Sequence, residues 1–291
     1  MRLAVLGFGL IGGSIARALA ARGRGAWQVT AWSRDPTAPR EALSRGVVAA
    51  VAPDPATAVR DVELVVLAAP PLANLRLLDE VAPLLTERDV TLSDVSSSQG
   101  AIAAAASRHA GLRFVGGHPM SGRERRGFGA SSADLFEGRP WVVLPGSGAR
   151  PEDTARVDRL ARACGAEPLL LDPASHDEAV ASVSHLPLLA SVALLEALAA
   201  APDPALARRL AAQGWRDMTR LAHGDPALGA GILTTNAAAL AGALRRYRAA
   251  LEGWQATLDA LATAADAVED GERSAVALER QLAALAEERP A

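Results

Sequence analysis

The sequence contains no lysine; all 30 of its Lys+Arg positions are arginine. Chemistry that needs an ε-amine, as a Schiff-base carrier or as the lysine of a proton relay, is therefore excluded. Cysteine is nearly absent as well. Cys164 stands alone, so there is no disulfide framework, and a reducing, cytoplasmic setting is the expectation. Neither sign of charge dominates: against the arginines stand 33 acidic residues, for a formal net charge of −3. The arginines are interleaved with acids rather than clustered, which argues against a nucleic-acid surface. No long uninterrupted apolar run is present. The longest, near residues 178–201, is broken by Glu178, Ser182, His185, Pro187 and Glu196, and is expected to be a buried helix rather than a membrane span. No leader peptide is expected, because strand-type residues and a glycine loop follow Met1 directly. Repeats and low-complexity linkers are also missing. What remains is 291 residues, half of them hydrophobic, enough for two domains with sizeable cores.

The chain opens on Leu3-Ala4-Val5-Leu6, an apolar run of buried parallel-strand type. Gly7-Phe8-Gly9-Leu10-Ile11-Gly12 follows at once and continues into a helix. In this order the first glycine makes a tight turn, the second admits a pyrophosphate to the backbone, and the third lets helix and sheet approach. The N–H groups at the helix start, Leu10 and Ile11 among them, would face the phosphates. A second strand, Gln28 to Trp32, leads to Ser33-Arg34-Asp35. A hydroxyl plus a guanidinium suits a ribose 2′-phosphate and hence NADP, whereas Asp35 on a ribose hydroxyl would mean NAD. Further strands are expected at Val62–Ala68, ending in Ala69-Pro70-Pro71 on the nicotinamide side, and at Val90–Ser93, Leu112–Val115, Trp141–Leu144 and Leu169–Leu171. They make a sheet of seven or eight strands, with a helix at about 152–163. After Val90–Ser93 comes Asp94-Val95-Ser96-Ser97-Ser98-Gln99-Gly100. One serine is expected to cap the next helix, leaving others to face the cofactor cleft.

From Asp172 no further strand is expected. The fold class is thus α/β, with a Rossmann-type dinucleotide-binding domain over residues 1–172 and an all-helical domain over 173–291. Asp172-Pro173 starts a helix in the favoured cap-then-proline order. A second helix is expected over Pro204–Leu221. A third carries Leu240, Leu244, Tyr247, Leu251, Trp254, Leu258 and Leu261 at alternating spacings of four and three, a seam that wants a partner helix. Gly271 is expected to break it, before a last helix to about Glu287.

Two function classes fit such a chain: an oxidoreductase, or a non-catalytic dinucleotide-binding sensor. A sensor needs an output module, and none is visible. Hydride transfer needs a base for a hydroxyl proton, and without lysine a histidine suits that task. His118, in Gly116-Gly117-His118-Pro119-Met120-Ser121-Gly122, is the best candidate, held on a sharp turn at a strand end. His109 and His223 are expected to face solvent, and His176 to be structural. His185 is either a core residue or a cleft wall. No two histidines have metal-ligand spacing, so no metal is expected.

Gly-Gly-His-Pro-Met-Ser-Gly after a serine loop, Ser184-His185-Leu186-Pro187, and Arg216-Asp217-Met218-Thr219-Arg220 followed by Asp225-Pro226-Ala227-Leu228 occur here in one order over nearly the whole chain. Together they resemble the prephenate/arogenate dehydrogenases of tyrosine biosynthesis. The resemblance implies oxidative decarboxylation of a cyclohexadiene to an aromatic ring with hydride transfer to NAD(P)+, and another small-acid dehydrogenase with a histidine base is the alternative. It implies that His118 takes the C4 hydroxyl proton, that Ser97 orients that group beside the cofactor, and that Arg220 binds a substrate carboxylate. Ser184 and His185 would belong to the substrate site, and the helical domain would build a homodimer. Prephenate-preferring members often carry a histidine where this chain has Leu188; Glu124 stands where several of them have an acid.

Overall fold

The computed structural model describes residues 1–23, 25–123, 125–264 and 268–287. Glu124 lies outside the described residues. The chain forms two compact units, Met1–Leu240 and Ala241–Ala291.

The first unit is built on one eight-stranded sheet: β1 (Arg2–Leu6), β2 (Gln28–Trp32), β3 (Ala50–Val51), β4 (Leu64–Leu67), β5 (Thr91–Asp94), β6 (Phe114–Pro119), β7 (Pro140–Pro145) and β8 (Glu167–Leu170). Their spatial order is β3-β2-β1-β4-β5-β6-β7-β8, and every pairing is parallel except β6 with β7. The order reverses direction at β1, between β2 and β4, so the ligand crevice of a doubly wound sheet falls at the carboxyl ends of β1 and β4. Six helices connect the strands: α1 (Leu10–Arg22), α2 (Thr37–Ser44), α3 (Pro55–Ala58), α4 (Pro71–Leu85), α5 (Gly100–Ser107) and α6 (Pro151–Ala163). Leu3, Val5, Ile15, Phe136, Trp141 and Leu160 pack in one apolar core. Leu6, Leu67, Leu78, Leu85 and Leu92 pack in another. Each large apolar side chain so buried contributes ~1.5–3 kcal/mol.

The glycine pair before His118 does not turn the chain. Gly116, Gly117 and His118 lie inside β6, paired with Leu144, Val143 and Val142 of β7. The glycines are needed because their neighbours are too close for a side chain. A Cβ on Gly116 would sit 2.1 Å from Gln99 Oε1, and one on Gly117 would sit 2.7 Å from the Asp94 carbonyl oxygen.

After β8 the chain is helical among the described residues: α7 (Pro173–Val180), one π-helical turn (Ala181–His185), α8 (Leu186–Ala199), α9 (Pro204–Leu210), α10 (Gln213–Thr219), a 3-10 turn (Arg220–His223), α11 (Pro226–Thr235), α12 (Ala237–Ala264) and α13 (Val268–Glu287). Asp172, Asp203 and Asp225 each precede a proline, and each carboxylate accepts backbone N–H groups at its helix start. Pro187 has no N–H to give the preceding turn, and the helix widens into the π turn just before it.

Three expectations about these helices are corrected. Residues 204–221 are not one helix, because Ala211 and Ala212 leave helical geometry and bend the chain around a cavity that Arg208, Ala211, Trp215 and Arg216 line. Gly271 lies within α13 rather than ending α12. The apolar stretch 178–201 is not a buried helix in the single chain, since in α8 only Ser191 is buried. By length and composition alone Pro173–Ala199 could cross a membrane. It nevertheless buries His176, Asp177 and His185, a polar set bonded to other parts of the first unit.

Candidate active site

At the β1 crevice Gly7 has φ +102°, and a Cβ there would lie 2.5 Å from the Ala68 carbonyl carbon. A Cβ on Gly12 would lie 2.2 Å from the Gly7 carbonyl oxygen. Gly9, just before α1, differs from both: nothing stands within 4 Å of where its Cβ would be. That open cradle, with the unpaired N–H groups of Leu10 and Ile11 at the helix start, fits a dinucleotide pyrophosphate. Beyond β2, the Asp35 carboxylate accepts the Thr37 backbone N–H at 2.9 Å, which holds its pKa below the usual range. Arg34 is exposed and makes no ion pair among the described residues, with half-buried Ser33 beside it. Across the crevice, Asn74 of α4 accepts the Ala69 N–H at 2.9 Å, fixing the Ala69-Pro70 loop. Its amide also donates to Ser96 Oγ at 3.0 Å.

The serine loop leaves β5 at Asp94, whose fully buried carboxylate accepts the N–H groups of Ser96 (2.8 Å) and Gly117 (3.1 Å) and the amide of Gln99 (3.2 Å). Burial pushes Asp94 up to about 6, and these hydrogen bonds oppose the shift. No serine caps α5. Instead the Asp177 carboxylate, from α7, accepts the Gln99 and Gly100 N–H groups, each at 2.7 Å. A full negative charge at a helix start outcompetes a hydroxyl for that position. The serines are used otherwise: Ser96 Oγ bonds Asn74 and Ser98 Oγ bonds Thr235, whereas buried Ser97 Oγ has no partner among the described residues.

His118 Nδ1 lies 2.9 Å from His176 Nε2, with the rings nearly perpendicular at 85°. His176 Nδ1 in turn lies 2.8 Å from Asp177 Oδ1. His176, expected to be structural, thus stands between His118 and Asp177. His118 is 58 residues away in the chain, and only the docking of α7 on the start of α5 joins them. Burial, with His176 and His185 close by, pushes His118 down to about 3 against the pull of Asp177. His185 is buried, and its Nδ1 lies 3.0 Å from the Asn236 amide nitrogen, which also donates to the Asp177 carbonyl at 2.9 Å. Burial pushes His185 down to about 4. Asn236 carries no sequence motif, and nothing short of the fold would have found it. His223 is exposed, as expected. His109, expected in solvent, is half-buried and lies 3.1 Å from Asp79 Oδ1.

Beside these groups opens a cavity of about 1310 Å³, lined among others by Arg123, Ser184, His185, Leu188, Arg216 and Arg220. His118 and Ser97 do not line it. His185 belongs to both places: it walls the cavity, and its ring lies near His118 and the Ser97 backbone. Arg220 and Ser184 are exposed, and Leu188 is half-buried. No group of three or more metal-ligating side chains occurs among the described residues.

A doubly wound sheet with this glycine loop defines a Rossmann-type dinucleotide-binding protein joined to a helical segment. Residues 15–170 match the family model "Prephenate dehydrogenase, nucleotide-binding domain", and residues 172–271 match "Prephenate dehydrogenase, dimerization domain". The chain belongs to the prephenate dehydrogenase family. Prephenate dehydrogenase of Bacillus subtilis (strain 168) is 30% identical over 233 residues, covering 79% of this chain and 62% of that protein. The chain thus spans less than two thirds of that relative's length. The crystal structure of Synechocystis arogenate dehydrogenase is similar with a TM-score of 0.77 at 31% identity, over 99% of this chain and 100% of that one. Prephenate dehydrogenase from A. aeolicus, solved with hydroxyphenyl propionate and NAD+, has a TM-score of 0.82 at 25% identity, over 99% and 98% of the two chains.

Proposed function

We propose that the protein oxidatively decarboxylates prephenate or arogenate, transferring hydride to a nicotinamide dinucleotide. The observation that carries this reading is the pairing of two groups at the sheet's carboxyl edge. His118 Nε2 and buried Ser97 Oγ have no hydrogen-bond partner among the described residues, and His185, which lies near His118 and the Ser97 backbone, walls an arginine-lined cavity. The nicotinamide, when bound, supplies the hydride acceptor. His118 takes the proton of the ring hydroxyl, Ser97 orients that hydroxyl, and Arg220 holds a substrate carboxylate. Ser184, His185 and Leu188 shape the remaining wall.

Within this reading, residues 1–172 bind the cofactor and residues 173–291 bind substrate and pair two copies into a homodimer. Exposed Arg34, with Asp35 committed to the start of α2, favours NADP over NAD. Leu188 offers no donor to a keto-acid side chain, which favours arogenate. A single cysteine, with no disulfide framework, fits a reducing cytoplasm. The deciding experiment follows nicotinamide absorbance with purified protein, each substrate and each of NAD+ and NADP+. Turnover of neither substrate overturns the reading.

A further inference from the structure

We propose that His176 and Asp177 are positioning residues that select which nitrogen of His118 is free to take a proton. The inference rests on the activity proposed above, and its argument is one of donors and acceptors. Asp177 accepts the Gln99 N–H and the Gly100 N–H at 2.7 Å each, and His176 Nδ1 lies 2.8 Å from the same carboxylate. A carboxylate surrounded by donors leaves no place for its own proton, so His176 Nδ1 carries hydrogen. Neutral His176 then presents a lone pair at Nε2. That lone pair lies 2.9 Å from His118 Nδ1, which must donate to it. His118 is left with its lone pair on Nε2, the nitrogen without a partner among the described residues.

Reversing either ring sets two donors or two lone pairs against each other. Charging His176 would allow the reversal, but it would add a proton to a ring only 1% exposed. The other ionisable groups around His118 do not disturb the assignment. His185 bonds Asn236, and Asp94 is turned to the backbone of Ser96 and Gly117.

The proton balance in turnover follows. The hydroxyl proton goes to His118 Nε2 as hydride leaves the same carbon for the nicotinamide. The Nδ1 proton of His118 is then shared with His176 Nε2, and the added positive charge lies along the two rings against Asp177. When the ring carboxylate then leaves as CO2, its bonding pair makes the ring aromatic and its oxygen a phenolate, which takes the proton back from His118 Nε2.

The test reads the tautomer directly, by long-range proton–nitrogen NMR of histidine-labelled free protein. Five histidines make the spectrum tractable, and His118→Asn assigns the signal. Wild type should show His118 protonated at Nδ1. In Asp177→Asn the amide can donate to His176 Nδ1, so both rings should reverse, and kcat should fall on the order of 10²–10⁴-fold with nucleotide affinity kept. Because Asp177 also caps α5, a second pair of variants guards the result. His176→Gln, whose oxygen can accept from His118 while its amide donates to Asp177, should keep the tautomer and much of kcat; His176→Leu should keep neither. A wild-type His118 protonated at Nε2, or a tautomer that none of these substitutions moves, overturns the inference. Inactivity of the wild type with both substrates overturns the activity reading alone, because the tautomer is measured without substrate.

Discussion

At the scale of single residues the site is defined by groups held uncharged or unpartnered against their ordinary behaviour. His118→Asn should leave nucleotide affinity intact and lower kcat by ~10²–10⁴-fold, the worth of a positioned base. Turnover within tenfold of wild type, in steady-state assays, would remove His118 from that role. The same burial makes the fold pH-sensitive. His118 and His185 are pushed to about 3 and about 4 from an ordinary value near 6.5. As pH falls below about 6.5 the unfolded chain takes up protons that these folded rings refuse, so both destabilise the fold in acid. Asp94, raised to about 6, works the other way: its contribution is present at low pH and lost as pH rises through 6. Two histidines against one aspartate should lower the Tm between pH 7 and pH 5, and a scanning calorimetry series showing a rise would contradict these assignments.

At the scale of elements, glycine carries two different burdens. Gly116→Ala should destabilise by ~1–3 kcal/mol, because its Cβ would press on the buried Gln99 amide between β6 and α5. Gly9→Ala should leave the Tm nearly unchanged, having open space around it, yet weaken nucleotide binding in a fluorescence titration. Equal melting of both variants would show that Gln99 can yield. The glycine loop, the strand runs and the Asp172-Pro173 helix start were legible in the sequence, because their signals are local. Gly116-Gly117 misled: the pair looks like a turn, and its true cause is Gln99 and Asp94, 17 and 23 positions earlier in the chain. The contact of His176 with His118 was hidden for the same reason, since His-Asp in a helix's first turn says nothing until α7 is seen to dock on α5. Ser97 was named by the family resemblance alone; the residues themselves offered three serines, of which Asn74 and Thr235 claim the other two.

For the molecule as a whole, α12 leaves an apolar seam open in the single chain. Leu240 is buried, whereas Leu244, Tyr247, Leu251 and Leu258 of the same seam are exposed. The proposed homodimer would cover that seam, so Leu251→Glu should shift the sedimentation profile from dimer toward monomer. A dimer of unchanged mass would place the interface elsewhere. The carboxylate of Asp177 has one more consequence, in the language of local opening. It clamps the amides of Gln99 and Gly100, so those two hydrogens exchange with solvent only when α7 lifts away from the sheet. Their exchange rates therefore read out how often the two halves of the site come apart, and a bound ligand that spans both should slow them together.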